Sequence, residues 1–324
     1  FIDFGYDFVT GMAAGADRAS RRPLLYTLPA LKREFGVATV DAVIPTHYHD
    51  DHVAGLNLLR DVEGTQVWAA EVFADVLENP ARYDLPCLWY DPIPADRVLP
   101  LEQPVSWEGY ELTLYHQPGH TDYAVAIAFS VDGKRVLAIG DQYAGDDAAS
   151  WNYVYKNGFH ADDYLKSAAL YRELKPDLIL SGHWEPYWVA PGYFDKVAQR
   201  GEVLEGLHRD LLPQGAVDFG ASGVGVTIRP YQAQAMKGQE IIFDVEVRNP
   251  FSREEEAVVR MVVPAGWRVT PQMQMLELSA HAIRQLSFSV MPAPERVRRA
   301  RIAADLTVGT TRFGPLAEAL VTVE

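Results

Sequence analysis

The sequence predicts an α/β domain followed by an antiparallel β-sandwich. Two observations carry this. Through the first two thirds, short apolar segments with strand-like spacing alternate with segments whose apolar residues recur at helical spacing. Beyond Gly220-Ala221-Ser222-Gly223 the helical periodicity stops, and short apolar strands recur between turn residues. The 324 residues thus divide into a domain over 1–220 and a second over 224–324, both of ordinary size.

The elements follow in order. Leu28 to Phe35 has helical spacing and stops at Gly36, a natural C-cap. Val40 to Ile44 reads as a strand, Val53 to Arg60 as one helix, and Gln66 to Trp68 as a strand. Glu71 to Asp96 is long, aromatic and proline-rich, which suits a lid or pocket wall. Glu111 to His116 alternates as a strand does. Ala124 to Ser130 and Arg135 to Ile139 form a hairpin turning at Asp132-Gly133. Asp162 to Leu174 is a helix, Asp177 to Leu180 a strand and Phe194 to Leu212 a helix. Six strands are expected after the boundary, over 224–231, 240–248, 256–263, 284–290, 301–308 and 316–323.

Composition excludes several classes. A net charge of −15 repels a phosphate backbone, so nucleic-acid binding is not expected. Arg296, Arg298, Arg299 and Arg301 form a local basic cluster, read as a solvated strand face. The single cysteine, Cys87, can make no intramolecular disulfide and no cysteine-rich zinc module, and is expected to be buried and inert. No apolar run is long enough to span a membrane, and no membrane partner is expected. The chain opens on Phe1-Ile2-Asp3-Phe4-Gly5, which reads as a strand already under way. Initial strands are therefore expected to be missing, which leaves the compartment open.

Five of the nine histidines stand at strand-to-loop junctions. Val43-Ile44-Pro45-Thr46 leads to His47 and His49, Leu114-Tyr115 to His120, and Leu178-Ile179-Leu180 to His183. Val136 to Ile139 leads to Asp141. Loops at the ends of a rigid sheet are where binding residues concentrate. Converging imidazoles and carboxylates suit zinc, whose nitrogen and oxygen ligands sit at roughly 2.0–2.2 Å. His47 and His49 lie two apart on extended chain and can face one way, whereas Asp51 and His52 are adjacent where a helix should begin. One run offering ligands in two directions fits two neighbouring metals better than one.

The run His47-Tyr48-His49-Asp50-Asp51-His52 resembles the His-x-His-x-Asp-His signature of the metallo-β-lactamase superfamily. Ile2-Asp3-Phe4-Gly5, Pro118-Gly119-His120-Thr121, Gly140-Asp141 and Ser181-Gly182-His183 resemble its other motifs in the right order, over roughly residues 1–215. The resemblance implies a four-layer αββα sandwich. It implies that His47, His49 and His120 hold a first Zn²⁺, that Asp51, His52 and His183 hold a second, and that Asp141 bridges them. Iron or manganese would suit the same donors. Asp3 is expected to orient a ligand loop. The implied activity is that of a binuclear zinc hydrolase. A metal-bridging hydroxide would attack a small ester, thioester, lactone or lactam, with Asp51 orienting it and handling a proton. Tyr143 and Tyr187 are expected as hydroxyl donors to the developing oxyanion, and His160 lies in a stretch that often walls the pocket in this family, with substrate contact as an alternative to a structural role. Two other readings stand beside this one. A mono-iron sulfur dioxygenase on the same fold would keep the motif, and a non-catalytic binding protein would use the β-sandwich as its working module.

Val263-Pro264-Ala265-Gly266-Trp267-Arg268-Val269-Thr270-Pro271 resembles a stretch of the immunoglobulin-like NEW3 module, with Trp267 packed between sheets. The resemblance implies a structural or self-associating appendage, with carbohydrate binding as the sharper alternative.

Overall fold

The computed structural model describes residues 1–5, 23–154, 156–211, 217–220 and 223–324. Tyr155, Leu212, Ala221 and Ser222 lie outside the described residues. The chain forms two compact units, one of 1–80 and 85–208, the other of 81–84 and 209–324.

In the first unit, helix α1, Leu28–Phe35, stops where Gly36 turns left-handed at φ 67°. Strand β1, Ala42–Val43, leads into the first histidine run. The single helix expected over 53–60 is in fact two, α2 (Asp50–Val53) and α3 (Leu56–Glu63). The break at Ala54-Gly55 has a cause: the Gly55 N–H donates to the Phe4 carbonyl at 3.1 Å instead of continuing one helix. Strand β2 (Gln66–Ala70), helix α4 (Ala74–Glu78) and strand β3 (Arg97–Leu99) follow. Then come β4 (Pro104–Trp107), β5 (Tyr110–His116), β6 (Val125–Val131) and β7 (Lys134–Gly140). A small hairpin, β8 (Tyr143–Ala144) and β9 (Ser150–Trp151), precedes helix α5 (Asp163–Leu174). Strands β10 (Leu178–Ser181) and β11 (Tyr187–Trp188) and helix α6 (Tyr193–Leu211) complete the α/β part.

Two sheets result, one ordered β1-β2-β3 and the other β11-β10-β7-β6-β5-β4. With their flanking helices they make the four-layer αββα sandwich. Leu137, Ile139 and Ile179 of the larger sheet pack with Tyr164, Ala168 and Tyr171 of α5 and Val197 and Leu204 of α6. Burying each such large side chain contributes about 1.5–3 kcal/mol, which holds the strand ends still.

The second unit is all β. Its strands are β12 (Val226–Arg229), β13 (Gln232–Ala235), β14 (Ile241–Arg248), β15 (Glu255–Val262), β16 (Arg268–Thr270), β17 (Met273–Leu278), β18 (Ile283–Met291), β19 (Val297–Val308) and β20 (Thr311–Val323). They form a sheet β12-β14-β18-β16 and a sheet β13-β20-β19-β15-β17. Alternate inward residues such as Phe243, Val245, Phe288, Val259, Leu306 and Val321 build one core, and Trp267 is half-buried against it. Strands β13, β16 and β17 are additional to the six expected. Among the described residues, no helix is long and apolar enough to cross a membrane.

Candidate metal centre

The topology brings seven side chains together. His47 and His49 follow β1 on extended chain, each forming an isolated bridge, His47 to Ala124 and His49 to Leu88. Asp51 and His52 occupy the one turn of α2. His120 lies on the loop between β5 and β6, and Asp141 directly follows β7. His183 follows β10, which runs parallel to β7 with Ser181 opposite Gly140. His47, His49 and His120 form one group. Asp51, His52, Asp141 and His183 form a second. Within each group the ligand atoms lie within 4.8 Å of one another.

Asp141 stands where the groups meet. Its Oδ2 lies 3.2 Å from His183 Nε2 and 3.9 Å from His120 Nε2, and its Oδ1 lies 3.1 Å from His52 Nε2. Gly182 makes this approach possible. A Cβ there would stand 2.3 Å from Asp141 Oδ1 and 2.7 Å from His52 Cε1, so any larger residue would push the two apart.

Four of the imidazoles are held by one nitrogen, leaving the other for the centre. His47 Nδ1 lies 3.0 Å from Thr46 Oγ1. His120 Nδ1 donates to the Asn152 carbonyl at 2.5 Å. His52 Nδ1 pairs with Asp3 Oδ2 at 2.9 Å. His49 is held the other way round: its Nε2 meets the buried Asn157 amide, and its Nδ1 faces His120 Nε2 at 3.0 Å. Asn157 also donates to the His120 carbonyl at 2.7 Å and accepts from the Tyr48 hydroxyl. Partners of this kind fix the tautomer and aim of a metal-binding imidazole. Asp3 binds the loop as well as a ring, accepting from the Thr46 N–H at 2.6 Å and from its hydroxyl at 2.9 Å.

Electrostatics divide the histidines. Burial, then mutual repulsion, holds His47 far below the ordinary imidazole value, and His49 falls to about 3 for the same reasons. Burial also lowers His120. These three are neutral at physiological pH, with lone pairs available. Burial opposes charge on His52 and His183 too, but carboxylates outweigh it. Asp3 and Asp141 raise His52 well above its ordinary value, and Asp141 and Asp51 raise His183 to about 9. Asp141 and Asp51 are lowered in return, burial being overcome by His183 and His52.

The donor set fits divalent metal. His47 Nε2 is buried without a hydrogen-bond partner among the described residues, and the buried His52 Nε2 and Asp141 Oδ1 face each other at 3.1 Å. An unpartnered buried atom costs about 1–3 kcal/mol, and a cation held here would satisfy all three.

The expected tyrosine donors are placed elsewhere. Tyr143 is fully buried, its ring packed on Tyr164 and Tyr171 of the apolar core. Tyr187 packs on Tyr193. Neither joins the ligand groups. The His160 N–H donates to Asp163 Oδ2 at 2.6 Å, so it serves the start of α5. Cys87, expected to be buried, is exposed. The reason lies in its backbone, left-handed at φ 52°, whose carbonyl accepts the Asp50 N–H at 2.8 Å. With Tyr48 donating to the Pro86 carbonyl, Pro86-Cys87-Leu88 walls the His49 side of the centre. Partial burial of the sulfur and then Asp50 raise the Cys87 thiol to about 11.

The fold and site define a class. The model of the metallo-beta-lactamase superfamily matches residues 10–183, more than half of the chain, and the chain belongs to that superfamily. Among individual relatives, a beta-lactamase-like protein 2 homolog of Drosophila melanogaster is 32% identical over 149 residues, 45% of this chain and 45% of its own length. A probable metallo-hydrolase of Streptococcus pyogenes serotype M6 is 32% identical over 107 residues, 31% of this chain and 45% of its own. The chain thus spans about half the length of the curated relatives it matches. The class B3 di-zinc metallo-beta-lactamase LRA-12 from an Alaskan soil metagenome is 16% identical, with a TM-score of 0.47 over 64% of this chain and 82% of that one. GOB-18 from Elizabethkingia meningoseptica is 17% identical, with a TM-score of 0.45 over 66% of this chain and 82% of that one.

Proposed function

We propose that this chain is a binuclear metal hydrolase, with zinc as the preferred ion, acting on a small ester, thioester, lactone or lactam. The observation that carries the reading is the pair of ligand groups meeting at Asp141, with His47 Nε2 left buried and unpartnered beside them. His47, His49 and His120 would hold one ion, and Asp51, His52 and His183 the other, with Asp141 shared. Divalent ions held there would supply a water acidified to a pKa of about 7 and would polarise the electrophile it attacks.

The chain's own groups do the rest. Asp3, Thr46, Asn152 and Asn157 hold the ligands in place before substrate arrives. Asp51 and His183 are the least buried of the seven, so substrate enters on their side. Asp51 Oδ2, 2.9 Å from His183 Nε2, is the position at which a proton would be held and passed on. One relative named as a probable metallo-hydrolase is in keeping with hydrolysis.

The test is a substrate panel on zinc-loaded protein: an aryl ester, a thioester, a lactone, a β-lactam and a phosphodiester. Turnover of one of the first four, abolished by EDTA and restored by zinc, is expected. Silence across the panel with two zinc ions bound would overturn hydrolysis, and one iron per chain without zinc would turn the reading to redox chemistry.

A further inference from the structure

The β unit carries a charged cleft that the proposed hydrolysis does not use. It has a volume of about 570 Å³ and is lined by Arg296, Arg298 and Arg299 together with Gln232, Gln234 and Thr322. We infer that this cleft binds an oxyanion group of the sulfate or phosphate ester class.

Three observations converge. The first is charge. The β unit is neutral, with 14 basic and 14 acidic residues, yet three arginines line this cleft against one acidic residue, Glu324. Arg229, Arg248, Arg253, Arg301 and Arg312 of the same unit each have a carboxylate partner. Among the described residues, Arg296, Arg298 and Arg299 have none, as is also true of Lys237, Arg260, Arg268 and Arg284, but only these three share one cleft.

The second is backbone. Val297 pairs with Val323 and Ala300 with Val321, so Arg298 and Arg299 together stand opposite Thr322, which is a β-bulge. Arg299 sits at φ 56°, a left-handed conformation that an arginine adopts only at a cost. Its N–H donates to Thr322 Oγ1 at 3.3 Å, which leaves the hydroxyl proton to donate outward. Strain maintained at one point, with two charged forks thrown off the strand, is what a ligand clamp requires.

The third is what the lining lacks. It contains no aromatic residue, so no platform exists for stacking a neutral sugar or a nucleobase. Planar guanidinium forks match tetrahedral oxyanions through paired hydrogen bonds, and the amides of Gln232 and Gln234 add neutral donors. The cleft is wide enough for a ligand of two linked rings.

The test uses the full metal-loaded chain in titration calorimetry, at constant ionic strength set with chloride. The probes are inorganic sulfate and a disulfated disaccharide. Saturable binding is expected, weakened at least tenfold in Arg298→Gln/Arg299→Gln and unchanged in Arg301→Gln, whose arginine is paired with Glu318. Arg298→Lys keeps the charge but loses the fork and should fall between, which separates recognition from misfolding. A disaccharide at least tenfold tighter than sulfate identifies an ester ligand; equal affinities identify the free anion. Absence of saturable binding, or equal weakening in Arg301→Gln, would overturn the site.

Discussion

Asn157 is neutral and stands outside both ligand groups, yet two histidines depend on it. Its amide meets His49 Nε2 and the His120 carbonyl, and it accepts from Tyr48. Without it His49 could rotate and present the wrong nitrogen. Asn157→Ala should lower zinc affinity by about 10–100-fold, read by competition with a chromophoric chelator. Affinity equal to the parent's would remove Asn157 from the account. The seven groups were expected from the resemblance, because five motifs stand in order, and the structure brings them together in two clusters. Asn157, Asn152 and Thr46 were silent, since a lone polar residue in a loop looks the same whether it faces solvent or an imidazole. Tyr143 misled for the converse reason. It lies two residues past Asp141, but the β8 turn sends its ring into the core.

At the scale of elements, the opening segment acts as a brace. Asp3 N–H donates to the Ile44 carbonyl at 3.1 Å and Phe4 N–H to the His52 carbonyl at 2.9 Å, so residues 1–5 tie β1 to α2. A Cβ on Gly5 would lie 1.6 Å from the Asp51 carbonyl oxygen, a clash with backbone that no rotamer relieves. Gly5→Ala should therefore shift α2 and weaken the Asp51/His52/His183 group more than the three-histidine group. Cobalt titrated into the variant should fill one site near parental affinity and the second at least tenfold more weakly; equal filling of both would contradict the brace. Longer elements were readable, since α1, α5 and the β6–β7 hairpin lie within two residues of their expected bounds. Strands β8, β9 and β11 were missed because two residues cannot show a period of two. The single helix expected over 53–60 failed because Gly55 is claimed by Phe4, a contact across about fifty residues.

For the whole molecule, the divided histidines set a pH profile. His47, His49 and His120 resist protonation when folded but not when unfolded. The unfolded chain therefore gains protons below about pH 6.5 and stability falls on the acid side. His183 is raised to about 9, so its contribution is fully present below about 6.5 and is lost as pH rises through 9. His52 acts in the same sense. Metal-free protein should accordingly be most stable near neutrality, with the urea midpoint lower at both pH 5 and pH 9. Zinc-loaded protein should lose the alkaline decline, because binding has already displaced those protons. A metal-free midpoint rising steadily from pH 5 to pH 9 would contradict this. Net charge follows the same division of the chain. The −15 resides in the α/β unit, since the β unit is balanced.

The central claim is that seven side chains hold two ions, and metal content measured by inductively coupled plasma mass spectrometry tests it most directly. After zinc loading and gel filtration the parent should retain two equivalents per chain. His47→Ala and His183→Ala should each retain about one, and Asp141→Ala fewer than one. A parent retaining less than one equivalent, or two equivalents that survive Asp141→Ala, would contradict the account.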